Sequence, residues 1–333
     1  MSTSGDRASG EDSLIARYFR PLATDPGAFN LMDDAAILAS SGDDLVITTD
    51  AVVEGVHFLP SDPPDSIARK ALRVNLSDLA AKGAAPAGFV MTLALREAND
   101  GWLSPFARAL GEDAAQFNCP ILGGDTVSTP GPLMISITAF GRVPSGRMLC
   151  RTTARVGDRI FVTGTIGDAS LGLGVLQNSE VASALASDPA MHDALIERYR
   201  VPQPRMALAK IARTYASSGM DVSDGLAGDL AKLCAASGVT ARVQVEAVPL
   251  SSAARAVLDK GATSIEKLLA GGDDYEILCS VPENRCAAFR AEAAQAGVVV
   301  TDIGEVLQGG PAPEFVDQTG RALSLSRLSY SHF

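Results

Sequence analysis

Aspartate stands repeatedly in this chain at the margin of an apolar run, where a carboxylate can face a cleft. The segment 45–57 reads L-V-I-T-T-D-A-V-V-E-G-V-H, a strand-like run of Leu45, Val46 and Ile47 followed directly by Thr48, Thr49 and Asp50. Two hydroxyls and a carboxylate on rigid backbone are hard oxygen donors of the kind Mg²⁺ and Ca²⁺ take. The same residues equally suit a Thr-rich strand end with Asp50 opening a turn. Asp33 and Asp34 precede the apolar run 35–39, Asp78 lies in V-N-L-S-D-L, and Asp125 in I-L-G-G-D-T. Asp221 and Asp224 belong to M-D-V-S-D-G-L, and Asp273 and Asp274 to A-G-G-D-D-Y-E. Glycine or serine beside most of them lets backbone approach a ligand closely. One such aspartate would be a cap or a turn; their recurrence along the chain implies a single acidic site on which they converge.

Composition limits what that site serves. The 333 residues amount to roughly two domains, 47% hydrophobic and 20% charged. No apolar window is long enough for a membrane span, and the polar first twelve residues read as a flexible arm without the apolar core of a signal peptide. Five cysteines with no C-x-x-C pair fit reduced thiols in a cytoplasm, and three histidines without H-x-x-x-H spacing argue against a zinc enzyme. A net charge of −11 speaks against nucleic acid as a partner. Phosphates remain accessible through cations: two unit charges about 4 Å apart interact by roughly 4 kcal/mol at an effective dielectric near 20, a repulsion that a bridging divalent ion reverses.

The elements that must position these residues follow from periodicity. Leu14, Ile15, Tyr18 and Phe19 mark one face of a short helix capped by Asp12 or Ser13. The runs 35–39 and 45–50 pair as a hairpin around Ser41, Gly42 and Asp43, which would place Asp34 beside Thr48 to Asp50. Asp65 or Ser66 opens a helix to Lys82 stopped by Gly83; within it the polar interruption Asn75, Ser77 and Asp78 is either a solvated face or marks a metal-facing carboxylate. A strand over 89–95, a helix over 105–117, a short strand 120–122 running into Gly123, Gly124, Asp125 and Thr126, and a strand over 133–143 complete an α/β first domain. Composition shifts over 144–157, where Arg147, Arg151 and Arg155 form either a solvated face or a phosphate clamp. The expected division is an arm over 1–12, a metal- and nucleotide-binding domain over 13–145 and a second domain over 146–333.

The second domain opens with a strand over 159–162 and a glycine-rich G-T-I-G-D-A-S-L-G-L-G, a weak phosphate signal that close helix packing explains as well. Helices follow near 181–186, 191–199 and 204–215. An extended 220–222 leads to Ser223 and Asp224, either the cap of a helix running to 236 or functional groups. Strands over 239–245, 275–281, 298–303 and 314–316 and a helix over 285–296 complete it. There is no G-x-x-x-x-G-K-[ST], no kinase H-R-D and no G-x-S-x-G, which excludes a standard P-loop NTPase, a protein kinase and a serine hydrolase of that kind. Many carboxylates with a few arginines and hydroxyls suit metal-assisted phosphoryl transfer, in which positioning and charge neutralisation supply most of the rate.

Together L-M-D-D-A-A-I-L, I-T-T-D, G-V-H-F, V-N-L-S-D-L-A-A-K-G-A-A-P, L-G-G-D-T, G-R-M-L-C-R, V-T-G-T-I-G-D, D-V-S-D-G-L, G-G-D-D-Y-E and a terminal Y-S-H-F closely resemble the thiamine-monophosphate kinase family, in the family's order. The resemblance implies the fold of the aminoimidazole-ribonucleotide synthetase superfamily: an N-terminal α/β domain whose mixed sheet pairs with its twin in a homodimer, and a C-terminal α+β domain whose mixed sheet is flanked by helices. It implies direct in-line transfer of the γ-phosphoryl group of ATP to thiamine monophosphate in the cytoplasm, the last step towards thiamine diphosphate. By the same resemblance Asp34, Thr48, Thr49, Asp50, Asp78, Asp125, Asp221 and Asp224 bind several Mg²⁺ ions, with Asp50, Asp78 and Asp224 catalytic. Gly124, Asp125, Arg151 and Ser223 contact the nucleotide; His57, Asp273 and Tyr330 contact the substrate. The chain departs from the family pattern at Met32, where glycine is usual, at Asp273, where glutamate is usual, and in having no tryptophan beside Tyr330. Another ATP-dependent synthetase of the superfamily, or a metal-dependent phosphohydrolase, is the alternative reading.

Overall fold

The computed structural model describes residues 14–31, 38, 41–310, 312–325 and 328–329. They fall into two compact units, one drawn from residues 1–75 and 86–142 and the other from 76–85 and 143–333. The expected strand 35–39 except Leu38, the arm and the Asp12 or Ser13 cap lie outside the described residues, so the expected hairpin is represented only by Leu38, by its turn over Ser41 to Asp43 and by β1, which starts at Asp44.

The first unit is built on a four-stranded sheet of β1 (Asp44–Val53), β2 (Ala85–Leu95), β3 (Ile121–Ser128) and β4 (Met134–Val143) in the order β1-β4-β2-β3. β2 and β3 run parallel, which demands a crossover, and the helix Asp100–Gln116 supplies it. Strict alternation along β4 buries Ile135, Ile137, Ala139 and Val143 and leaves the residues between them half-exposed. On β1, Val46 and Val52 are buried while Leu45 and Ile47 on the other side are 42% and 60% exposed, so the sheet has one covered and one open face.

The helix Pro64–Ala81 starts with proline and Asp65 in its first turn. It ends where Gly83, at φ 71, lets Ala84 N–H reach Leu79 O at 2.9 Å. The next helix begins earlier than the sequence suggests: Asn99 caps it by accepting from Gly101 N–H at 2.8 Å, and Pro105 lies inside it. Stacking of Trp102 on Phe106, ring centroids 4.7 Å apart, holds the added turn. The two helices are joined by Asp113, fully buried, whose carboxylate accepts from Arg73 Nε at 2.5 Å and also from Arg69.

The strand expected over 120–122 runs on through Gly123, Gly124 and Asp125, which lie inside β3, paired with Val90, Met91 and Thr92. The reason is steric, since a Cβ on Gly124 would stand 2.0 Å from Met91 O. Only glycine lets the strands close there.

The second unit carries a six-stranded mixed sheet of β5 (Asp158–Thr163), β6 (Ser218–Val222), β7 (Thr240–Gln244), β8 (Glu276–Pro282), β9 (Val300–Leu307) and β10 (Glu314–Val316), ordered β10-β7-β9-β5-β8-β6. Only the β10–β7 pair is parallel among its pairings. Alternation divides its apolar residues between two layers. Ile160, Val162, Val222 and Leu278 pack with Leu226, Leu230 and Leu233 of the helix Leu226–Ser237. Phe161, Ile277 and Val281 pack with Ile211 and Ala212 of Ala209–Tyr215 and with Phe289 of Cys286–Gln295. A third apolar cluster joins Asp168–Leu176, Pro189–Arg200 and Ser252–Asp259. The last of these, and Ile265–Ala270, escaped the sequence reading, although serine caps announce both: Ser251 Oγ accepts from Ala254 N–H and Ser264 Oγ from Lys267 N–H.

Asp113→Ala leaves two arginines facing a buried void and is expected to lower unfolding free energy by about 3–5 kcal/mol. Urea denaturation measures it; a loss below about 1 kcal/mol is what an exposed pair would give and would contradict this account.

Candidate active site

Strand alternation sorts the donors of β1. Thr48 and Asp50 fall on the covered face with Val46 and Val52, whereas Thr49 falls on the open face. There its hydroxyl donates to Ile137 O and accepts from Thr138 Oγ1, each at 3.1 Å. The Asp50 N–H donates to Asn75 Oδ1 at 3.0 Å, while Asn75 Nδ2 donates to Ala71 O of its own helix at 3.0 Å. Asn75, a polar interruption of a buried helix face, is thus there to receive an edge-strand donor.

Asp125 is exposed on β3 in register with Thr92. Among the described residues β1 and β3 are the outermost strands of their sheet. Three interstrand spacings separate them by about 14 Å, so one copy of the sheet does not bring Asp50 and Asp125 together.

His57 closes the loop after β1. Its N–H donates to Val53 O at 2.8 Å, its Nδ1 accepts from Val53 N–H at 3.1 Å, and its carbonyl accepts from Lys70 Nζ at 2.7 Å.

In the second unit the sequence-predicted residues do converge. Asp221, buried on β6, accepts from Ser77 Oγ at 2.7 Å, which accounts for the second polar interruption of the helix. Lys82 Nζ donates to Gly219 O at 3.0 Å; burial pushes its ammonium below the usual lysine value, while Asp221 and Asp78 pull it back and Arg151 pushes it further down. Asp78 is half-buried and Arg151 exposed.

Beyond β6 neither Ser223 nor Asp224 caps the following helix: its N-cap is Gly225, and no side-chain bond is made there. Asp229 instead reaches back from inside the helix to accept from Asp224 N–H at 2.8 Å. Lys232 Nζ bridges Asp224 Oδ2 at 2.5 Å and Asp229 Oδ1 at 2.8 Å. Burial raises the carboxyl of Asp229, against the pull of Lys232.

The segment 271–275 lies directly on this loop. Asp273 N–H donates to Ser223 O and Tyr275 N–H to Val222 O, both at 2.8 Å. Glycines permit the crossing, since a Cβ on Gly272 would stand 2.7 Å from Ser223 O and one on Gly225 2.7 Å from Ala270 O. Asp273 and Tyr275 both adopt left-handed backbone, φ 69 and 51, a costly state for side-chain-bearing residues that persists only where neighbours impose it. The anchor is Asp274 between them. Its carboxylate, 1% exposed, accepts from Gly167 N–H at 2.8 Å, and its carbonyl accepts from Arg198 Nη2 at 3.1 Å. Glu276, also buried, accepts from Thr163 Oγ1 at 2.6 Å, Arg198 Nη2 at 2.8 Å and Arg205 Nε at 2.6 Å.

Asp34 and Tyr330 lie outside the described residues. Among the described residues no three His, Cys, Asp or Glu side chains stand close enough to hold a metal ion. The donor chemistry nevertheless suits a hard cation, because the Lys232 ammonium already serves as positive charge between Asp224 and Asp229. Lys82, Lys232 and Asn75 have no role assigned from sequence, and Asp274, expected among the aspartates of the acidic site, is instead a buried anchor. For Asp274 a signal existed: of two adjacent aspartates entering a buried strand, one must point inward.

Residues 32–143 match the family model of the AIR synthase related protein N-terminal domain and residues 155–313 that of its C-terminal domain, which defines the class: a two-domain AIR synthase related protein. The chain is 46% identical over 324 residues to the thiamine-monophosphate kinase of Caulobacter vibrioides, covering 96% of this chain and 89% of that one. The thiamine-monophosphate kinase structure from Stenotrophomonas maltophilia K279a superposes with a TM-score of 0.81 at 36% identity, covering 94% of this chain and 96% of the other. AaThiL complexed with AMPPCP and TMP gives 0.76 at 30%, covering 92% and 97%. The chain belongs to the thiamine-monophosphate kinase family.

Burial holds the Asp274 carboxyl well above the usual carboxylate range, with Asp168 and Glu276 adding to the rise and the Gly167 N–H and Arg198 opposing it. The folded state therefore keeps a proton that the unfolded chain releases near its ordinary value of about 3.9, so this contribution to stability is full below that pH and is lost as pH rises towards the folded value. Asp274→Asn, which still accepts the Gly167 N–H, should lose less stability than wild type between about pH 4 and 8. Urea midpoints across that range test it, and parallel pH dependences of the two proteins would contradict it.

Proposed function

We propose that this chain transfers the γ-phosphoryl group of ATP to thiamine monophosphate, giving thiamine diphosphate and ADP. The observation that carries the reading is the locking of Val222 and Ser223, next to Asp224, against Tyr275 and Asp273 by paired backbone bonds, which sets residues expected to meet nucleotide and substrate on one loop crossing. AaThiL, of the same family, was complexed with AMPPCP and TMP. The physical demand is to bring two anions together. The acceptor phosphate, with a second pKa near 6, is about nine-tenths dianionic at pH 7, so the nucleophile needs no general base.

In this reading the region 13–145 supplies most of the metal and nucleotide contacts. Mg²⁺ would be held by Asp34, Thr48, Asp50, Asp78, Asp125, Asp221 and Asp224, and by Thr49 through its main-chain oxygen, the hydroxyl being engaged with Ile137. Bound there, the ions would neutralise phosphoryl oxygens. Gly124 lets the nucleotide approach backbone and Arg151 offers it a fork of donors; His57, Asp273 and Tyr330 would hold thiamine monophosphate. Among the described residues at the crossing no nucleophile–base pair is formed, which favours direct in-line transfer over a covalent intermediate.

The open face of the first sheet, with Leu45 and Ile47 exposed, fits a second copy of this chain. A two-fold pairing there would set the β1 edge of one copy beside the β3 edge of the other, completing an Asp50–Asp125 site that a single sheet leaves about 14 Å apart. The enzyme would act in the cytoplasm, consistent with its free cysteines.

Incubation with ATP and thiamine monophosphate should yield thiamine diphosphate in step with ADP, and Asp50→Asn should reduce turnover at least about 100-fold with the fold intact. Inorganic phosphate released without diphosphate would point to a phosphohydrolase instead. For the composite site, Asp50→Asn and Asp125→Asn, each inactive alone, should regain up to a quarter of wild-type activity when mixed and reassembled, because half of the copies pair as heterodimers with one intact site each. No recovery in verified heterodimers would place both aspartates in one copy.

A further inference from the structure

Arg198 lies in the last turn of the helix Pro189–Arg200 and reaches the segment 274–276 with one nitrogen. Its Nη2 carries two hydrogens: one goes to Glu276 Oε1 at 2.8 Å and the other to the Asp274 carbonyl at 3.1 Å. Glu276 has further donors in Arg205 Nε and Thr163 Oγ1, each at 2.6 Å, so satisfying that carboxylate is not what sets Arg198 apart. The backbone bond is. A trans peptide points its C=O and N–H in opposite directions, and the unit joining Asp274 to Tyr275 is held at both ends, its carbonyl by Arg198 and its N–H by Val222 O at 2.8 Å. With its plane fixed, ψ of Asp274 and φ of Tyr275 are fixed too. That φ is 51, in the left-handed region that side-chain-bearing residues rarely adopt. Turning the unit through half a revolution would carry it into the ordinary extended range, and both bonds would have to break first. Tyr275 in turn holds the residue two places back: its side chain is buried, and its hydroxyl donates to Asp273 Oδ1 at 3.3 Å.

We propose that Arg198 is a positioning residue: by clamping the Asp274–Tyr275 peptide against Val222 it keeps Tyr275 left-handed, and through the Tyr275 hydroxyl it sets the direction in which the Asp273 carboxylate meets thiamine monophosphate. The inference rests on the substrate role proposed above for Asp273 and deepens it. A guanidinium suits the task because its planar fork gives each hydrogen a fixed direction. The Arg198 Nε, buried and without a partner among the described residues, adds no bond, so the work is confined to the end of the fork.

Arg198→Met keeps the stem and removes the fork. In the unliganded protein, amide hydrogen exchange at Tyr275 should then run about tenfold or more faster than in wild type, while Ile277, whose N–H is bonded to Thr163 Oγ1 at 2.8 Å, stays within about threefold. An unchanged Tyr275 amide overturns the clamp even if the kinase activity stands. In steady-state kinetics Arg198→Met should lower kcat/KM for thiamine monophosphate about tenfold and leave KM for ATP within about twofold. In an Asp273→Ala background the same substitution should cost less than about twofold, because the residue it acts through is gone. An equal loss in both backgrounds is what a merely structural arginine gives, and it overturns the positioning role. Should the methionine variant fail to fold, Arg198→Gln, too short to span both acceptors, is expected to give the same readings and is judged by the same outcomes. A wild-type protein inactive on thiamine monophosphate, with the exchange result as stated, overturns the substrate assignment of Asp273 and leaves the clamp in place.

Discussion

A carboxylate taken out of water must find donors, and this constraint organises both units. Asp113 takes two arginines, Glu276 two arginines and a threonine, and Asp168 the hydroxyls of Thr165 and Ser251 at 2.5 Å each. Asp221 takes Ser77, Asp229 takes Lys232 and a backbone N–H, and Asp274 the N–H of Gly167. Removing a partner from an ion-paired member such as Asp113 or Glu276 costs far more than the pair contributes net, because a charge is left behind. Asp113, Asp168, Asp221, Asp274 and Glu276 are thereby tied to segments distant in sequence, and the ties of Asp221 and Asp274 fix the loops that carry candidate functional groups.

The consequence is clearest where 221–225 meets 271–275. Two residues in left-handed backbone, Asp273 and Tyr275, are held by bonds to the carbonyls of Ser223 and Val222, with Asp274 buried between them as the anchor. Strain of this kind is tolerated where the surroundings over-determine it, and it turns alternate side chains outward and inward. Asp273 is presented and Asp274 is spent on structure.

The first unit divides its groups by a different rule. Strand alternation gives Asp50 and Thr48 to one face and Thr49 to the other, and strand order puts β1 and β3 at opposite edges. Polar residues that look anomalous in the helix Pro64–Ala81 turn out to be partners: Asn75 receives the Asp50 N–H, and Ser77 bonds Asp221.

The sequence alone determined that acidic motifs flanked by glycine and serine recur at strand ends, that no P-loop or nucleophile–base pair is present, and that the motifs resemble one family. These are local facts of residue type and order, and most strands and helices follow from the same local periodicity. Tertiary structure alone decided which aspartate is a ligand candidate and which a buried anchor, because burial depends on contacts between segments distant in sequence. It placed the Gly123 to Asp125 motif within a strand, since the space available to a glycine is set by the neighbouring strand. It also chose between cap and site at Ser223 and Asp224, where Gly225 occupies the cap position and Asp229 answers the backbone N–H from within the helix.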